Sequence, residues 1–146
     1  MTGFNHKEYL TKAEDPEKVY REFIELIMDE DTIIVGQNIL GYDVYMLGVI
    51  ARNLNIKIDY SFISRILDTK VIATAIAKGN KTPDKEDILS WQLRYLNYRE
   101  RGLKTNQKFL LNHYEIPFDE SQLHDALYDI EKCFEIFQKQ LWELDI

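Results

Sequence analysis

Apolar stripes with helical spacing dominate the chain, separated by short polar breaks. Val19, Tyr20, Phe23, Ile24, Ile27 and Met28 recur at intervals that predict a helix beginning at Asp15-Pro16. Asp15 is a suitable N-cap, and proline at the first helical position loses no useful hydrogen bond. Thr32-Ile33-Ile34-Val35-Gly36 is a short β-branched run and reads as a buried strand. Gly36 and Gly41 bracket a loop. Asp43 to Leu54 then reads as a helix with Leu47, Ile50, Ala51 and Leu54 inward. A weaker strand falls within Tyr60 to Leu67, and Asp68 opens a helix through Lys78 that Gly79 closes. Further helices are predicted over 86–101 and 106–114. The longest stripe is Leu123, Leu127, Ile130, Phe134, Phe137, Leu141 and Leu144, a continuous seam along a C-terminal helix.

The pattern contains no internal repeat, low-complexity tract or Gly/Ser/Pro linker, so residues 1–146 read as a single domain. It also poses a problem: about six helices accompany one convincing strand. A lone strand of buried type needs partners on both edges. Either the protein is mainly helical or some of its sheet lies outside this chain.

Composition narrows the classes. A content of 45% hydrophobic and 12% aromatic residues excludes a largely disordered chain. The single cysteine, Cys133, excludes an internal disulfide and a cysteine zinc cluster. No apolar run reaches the ~18–20 residues that span a membrane, so no membrane partner is expected. The first residues lack the apolar core of a signal peptide, and a soluble, cytoplasmic domain is the default expectation.

The net charge of −7 excludes a uniformly basic coat but hides a split. Residues 1–69 sum to −5, residues 70–108 to +5 and residues 109–146 to −7. The basic third interleaves Lys70, Lys78, Lys81, Lys85, Arg94, Arg99, Arg101, Lys104 and Lys108 with Trp91, Tyr95, Tyr98 and Phe109. It reads either as a nucleic-acid track, with cations on phosphates and rings on bases, or as a solvated face above core aromatics.

Three short stretches carry candidate chemistry. In Gly36-Gln37-Asn38-Ile39-Leu40-Gly41-Tyr42-Asp43 a strand runs into a loop that presents Asn38 and Asp43 at a helix start. Asp43 taken alone is an N-cap or a ligand. Asp68-Thr69 opens another helix. His124-Asp125-Ala126-Leu127-Tyr128-Asp129 opens the last one, with Asp125 and Asp129 on one face. Dipole stabilisation is the plain reading of those acids.

Taken in order, these stretches resemble the DEDDh, or DnaQ-like, 3′–5′ exonucleases, which include the proofreading subunit of bacterial replicative polymerase. Asn38…Tyr42-Asp43 resembles the family's second motif, and His124 with Asp129 resembles its third. Asn106 to Ile116 is similar to the helix that precedes the third motif, and Thr2-Gly3-Phe4 to the family's Thr-Gly-Ile segment. The resemblance implies an α/β, ribonuclease H-like fold. It implies two divalent cations, Mg²⁺ or Mn²⁺, that activate water against a terminal phosphodiester. It makes Asp129 and Asp43 metal ligands and catalytic residues, and His124 the general base, a role suited to imidazole. Asp68 is a supporting candidate, with helix capping as its alternative. Asn38, Tyr42, Thr2, Gly3, Phe4 and Lys108 become substrate contacts. The partner would be the 3′ end of single-stranded DNA or RNA, and the basic third would run beside it.

The family's first motif, Asp-x-Glu on a leading strand, has no counterpart upstream of Thr2. It would supply two of four carboxylates. The expectation is therefore a fold truncated at its N-terminus, in which helices dominate and few strands remain. Cation binding would be incomplete, and activity would need a separate N-terminal exonuclease fragment. The alternatives are an inactive nucleic-acid- or polymerase-binding module on the same scaffold and a helical interaction protein built on the C-terminal seam.

Overall fold

Helix starts follow the polar residues that precede the apolar stripes. The computed structural model describes residues 6–83 and 86–144, so Thr2, Gly3, Phe4 and Lys85 lie outside the described residues. The elements in order are α1 (His6–Lys12), α2 (Pro16–Met28), β1 (Ile34–Gly36), α3 (Asp43–Asn53), a 3₁₀ turn (Ser61–Arg65), β2 (Ile66–Asp68), α4 (Thr69–Ala77), α5 (Ile88–Leu96), α6 (Gln107–His113) and α7 (Ala126–Leu141). The architecture is mixed α/β and mostly helical. Its described sheet holds two parallel strands, paired Ile34 to Ile66, Val35 to Leu67 and Gly36 to Asp68.

Pro16 occupies the first turn of α2, but the Asp15 side chain caps nothing. Its carbonyl instead accepts the Val19 N–H at 3.1 Å. The predicted stripe of α2 divides: Tyr20 and Ile27 are buried, whereas Val19 and Phe23 stay exposed. On α3, Ala51 is buried and Leu47 and Leu54 are half-buried, while Ile50 is exposed. The strand predicted within Tyr60–Leu67 is mostly a 3₁₀ turn, and only Ile66 to Asp68 pair with β1. Arg65 holds this turn against the end of α2, donating to the carbonyls of Ile27 at 2.8 Å and Asp29 at 2.6 Å. Gly79 closes the α4 stripe with φ of 73°, a backbone that favours glycine.

The two sheet edges differ. Gln92 of α5 is fully buried and reads the outer edge of β2 as a strand would. Its Nε2 donates to the Ile66 carbonyl at 2.8 Å, and its Oε1 accepts the Asp68 N–H at 2.7 Å. Among the described residues no strand lies along the other edge of β1.

The C-terminal seam is corrected by the structure. Helix α7 turns Cys133, Ile136, Phe137 and Gln140 to the core. Leu127 and Ile130 are 74% and 66% exposed, and Phe134 and Leu141 are exposed with them. A buried hydrogen bond sets this rotation: Gln140 Nε2 donates to the Thr69 carbonyl at 2.8 Å. The small Cys133 lies against Thr69 about two turns earlier, with Sγ 3.7 Å from Oγ1. No described helix is long and apolar enough to cross a membrane.

Candidate functional site

Asp68 ends β2 and caps α4, and it is completely buried. Its carboxylate accepts four backbone N–H groups. Two come from α4, Lys70 at 3.0 Å and Val71 at 3.3 Å; two come from the β1–α3 loop, Asn38 at 2.9 Å and Leu40 at 3.0 Å. Burial pushes its pKa above the ordinary carboxylate range, and the four N–H donors oppose that rise. The side chain is a bolt between two loops, with its acceptor capacity largely used. The capping alternative for Asp68 is thus the one the geometry displays.

The loop bolted by Asp68 presents Asn38 in the left-handed region, at φ 62°. Asparagine tolerates that conformation better than most residues. Its Oδ1 accepts Lys70 Nζ at 2.8 Å. Gly41 leaves room for the Asn38 amide, since a Cβ at position 41 would stand 2.7 Å from Oδ1. Tyr42 occupies the N-cap position of α3, so Asp43 is the first helical residue and not the cap. There its charge is favoured by the helix dipole. Asp43 is exposed, yet it borders an apolar cleft of about 200 Å³ walled by Phe23, Ile27, Ile39 and Leu47. Partial desolvation raises its pKa above the usual range.

At the other candidate stretch, Asp125 caps α7 by accepting the Tyr128 N–H at 3.1 Å. His124 is exposed and holds φ of 84°, a left-handed backbone uncommon outside glycine that histidine, like asparagine, adopts more readily than most residues. Asp129, half-buried in the first turn, accepts the His124 N–H on Oδ2 at 3.2 Å. His124 and Asp129 are therefore in direct contact, as Asn38 and Asp68 are.

Two bridges join these pairs at one end of the sheet. Thr69 donates to Gln37 Oε1 and touches Cys133, whose thiol is raised chiefly by burial and also by the charges of Asp68 and Asp129. Gln37 Nε2 donates to the Thr105 carbonyl at 2.7 Å, and two residues later Gln107 Nε2 donates to the Asp129 carbonyl at 2.8 Å. Asp43 joins through its own loop, where Gly41 and Tyr42 both donate to the Asn38 carbonyl. Gln37, Gln92, Gln107 and Gln140 are the structural residues that sequence reasoning missed. For Gln92 and Gln140 the signal was a polar residue at a core phase of an apolar helix stripe.

A cation cage needs several oxygen donors converging on one point. Asp68 spends its oxygens on backbone N–H groups, and Asp129 spends one on His124. Among the described residues no group of three His, Cys, Asp or Glu side chains is placed to hold a metal. Among the described residues the donors do not by themselves fit a two-cation site.

The basic third is partly neutralised. Lys78 pairs with Glu100 at 2.8 Å, Lys108 with Glu120 at 2.8 Å, and Arg94 with Glu86. Trp91 is a core residue whose Nε1 donates to Asn80 Oδ1 at 2.9 Å. Tyr98 and Phe109 remain exposed. What persists is a polar cleft of about 450 Å³ whose lining includes Asn38, Gly41, Lys70, Tyr98, Arg99 and Thr105. No family model, curated protein or solved structure matches the chain.

Proposed function

We propose that this chain is the helical part of a 3′–5′ exonuclease-type domain of ribonuclease H-like fold, acting on 3′ ends of single-stranded DNA or RNA. One observation carries the reading. Asn38 with Asp43 and His124 with Asp129 belong to two chain segments that the Asp68 bolt and the Gln37 and Gln107 bridges link to one end of a parallel sheet. The ends of parallel strands are where α/β folds place ligands. Asn38 and His124 also hold left-handed backbone, a cost that structures tend to retain at functional positions.

In this reading His124 takes the proton of the attacking water, and Asp129 fixes the loop that carries it through the His124 N–H. Asn38 and Tyr42 border the strand end. The two divalent cations of such a site would supply charge neutralisation and an activated water. The donors among the described residues fall short of that pair, and in this reading cleavage requires a companion polypeptide that brings an Asp-x-Glu strand. The open edge of β1 is the place for that strand.

The test is digestion of an end-labelled single-stranded oligonucleotide in Mg²⁺ or Mn²⁺, with the chain alone and with an Asp-x-Glu fragment supplied. The expected result is little loss of label with the chain alone and stepwise shortening from the 3′ end with both. An inactive pair overturns the reading. The shortage of carboxylates favours one second reading, a non-catalytic nucleic-acid- or polymerase-binding module on this scaffold. A salt-dependent affinity for single strands that ignores both metal and Asp129→Asn would select it.

A further inference from the structure

The polar cleft beside Asn38 carries an electrostatic imbalance. Four ionisable residues line it: Lys70, Tyr98, Arg99 and Glu100. Glu100 is already satisfied, by Lys78 Nζ at 2.8 Å and by the Tyr98 hydroxyl at 2.5 Å. Among the described residues no carboxylate pairs with Lys70 or Arg99. Lys70 is half-buried in the first turn of α4, where the helix dipole disfavours a cation. Its ammonium is held in place by a neutral amide, Asn38 Oδ1, in a loop whose backbone is itself strained. A partly desolvated cation kept at a helix start without a carboxylate suits an anion arriving from outside.

The size and walls of the cleft say more. Its volume of about 450 Å³ exceeds what an inorganic anion needs. Leu96, Leu103 and Tyr98 supply apolar wall beside the polar groups, and Tyr98 is anchored through its hydroxyl. Two cations and an apolar, partly aromatic wall lining one cleft match a phosphate joined to a sugar and base.

We propose that this cleft binds one nucleotide unit, its phosphate held between Lys70 and Arg99 and its base or sugar against Tyr98, Leu96 and Leu103. The inference rests on the exonuclease-type reading for the source of that nucleotide, a single strand whose terminus lies at Asn38. A free mononucleotide offers the same chemistry, and the experiment separates the two sources.

Binding is measured on the 146-residue chain without added metal. Anisotropy of a 5′-labelled ten-nucleotide single strand is followed over a salt series, and titration with a nucleoside monophosphate and with inorganic phosphate is followed by calorimetry. The variants are Lys70→Gln and Arg99→Gln, with Lys57→Gln as a distant charge control. Arg99 is exposed and makes no ion pair among the described residues, so its variant folds even if Lys70→Gln does not. The expected result is roughly tenfold weaker strand binding for Arg99→Gln. Its log–log salt slope should fall by about 0.7, one phosphate contact on a single strand, with Lys57→Gln unchanged. Strand binding that both variants leave intact overturns the cleft assignment while leaving the exonuclease-type reading in place. Monophosphate binding that needs Lys70 and Arg99, without any strand binding, keeps the cleft and overturns that reading. Absence of binding to strand, monophosphate and phosphate alike overturns both.

Discussion

Asp68 and Asp129 are the same residue type, each in or beside the first turn of a helix at the same end of the sheet, and the fold uses them in opposite ways. Asp68 is sealed from solvent and accepts four backbone N–H groups. Asp129 is half-open and accepts one, from His124. The difference lies in what surrounds the carboxylate. Two loops converge on Asp68, which must satisfy their amides, while Asp129 faces a rim with oxygen capacity left over. An aspartate with spent oxygens builds the site, and one with unspent oxygens can serve it.

Replacing each residue tests that contrast most severely. Asp68→Ala strands several amides in a low-dielectric region and should cost about 3–5 kcal/mol by urea denaturation. A loss below about 1 kcal/mol would remove Asp68 from its structural role. Gln92→Ala should follow at about 2–3 kcal/mol, because it opens the far edge of β2 and leaves the Asp68 N–H and Ile66 carbonyl unpaired. Gln92→Glu retains the acceptor for Asp68 but loses the donor to Ile66, so it should also destabilise. At the functional rim the effects shrink. Asp129→Ala should change stability by less than about 1 kcal/mol. His124→Gly should be neutral to within about 1 kcal/mol, since glycine accepts the left-handed backbone that histidine holds at some cost.

The smallest expected effect is one of pH. Asp43 has a raised pKa in the folded chain, chiefly through desolvation. A carboxyl raised on folding binds its proton more tightly in the native state. Its contribution to stability is therefore fully present below the unfolded pKa and is lost as pH rises through the folded value. Wild type should thus lose a little stability relative to Asp43→Asn as pH climbs from below 4 towards neutrality. The difference of two melting curves over that window checks the sign. A difference that grows in the other direction would mean that a cation or another favourable partner meets Asp43 in solution.

Much of the scaffold was legible because it depends on local chemistry. The Asp15-Pro16 start of α2 and the Gly79 stop of α4 each follow from residues a few positions apart, whereas the run 32–36, expected as a buried strand, is a strand only over Ile34–Gly36, half-buried, with Ile33 exposed. What stayed hidden depends on distant partners. The rotation of α7 is set by Gln140 and Cys133 meeting Thr69, which hydropathy does not rank as core contacts. Leu127, Ile130, Phe134 and Leu141 of the seam therefore lie outward, and Phe137 alone between them is buried. The strand at Tyr60–Leu67 shortened because Arg65 ties the turn before it to α2. Asp68 could be placed at a helix start from sequence, but its two bonds to the β1–α3 loop span about thirty residues and left no local signal. The order of the candidate site residues was legible; the glutamines that join their segments were not.

In the proposed exonuclease-type reading, the rim formed by His124 and Asp129 acts on a strand end and Asp68 holds that rim in shape. The most direct measurement is the rate of 3′-end shortening by the chain together with its Asp-x-Glu companion, recorded for wild type and Asp129→Ala beside the melting temperature of each. Asp129→Ala should lower the rate at least a hundredfold, about 2.7 kcal/mol or more of transition-state stabilisation, with the melting temperature held within a few degrees. An Asp129→Ala pair that shortens the strand at the wild-type rate would contradict that reading.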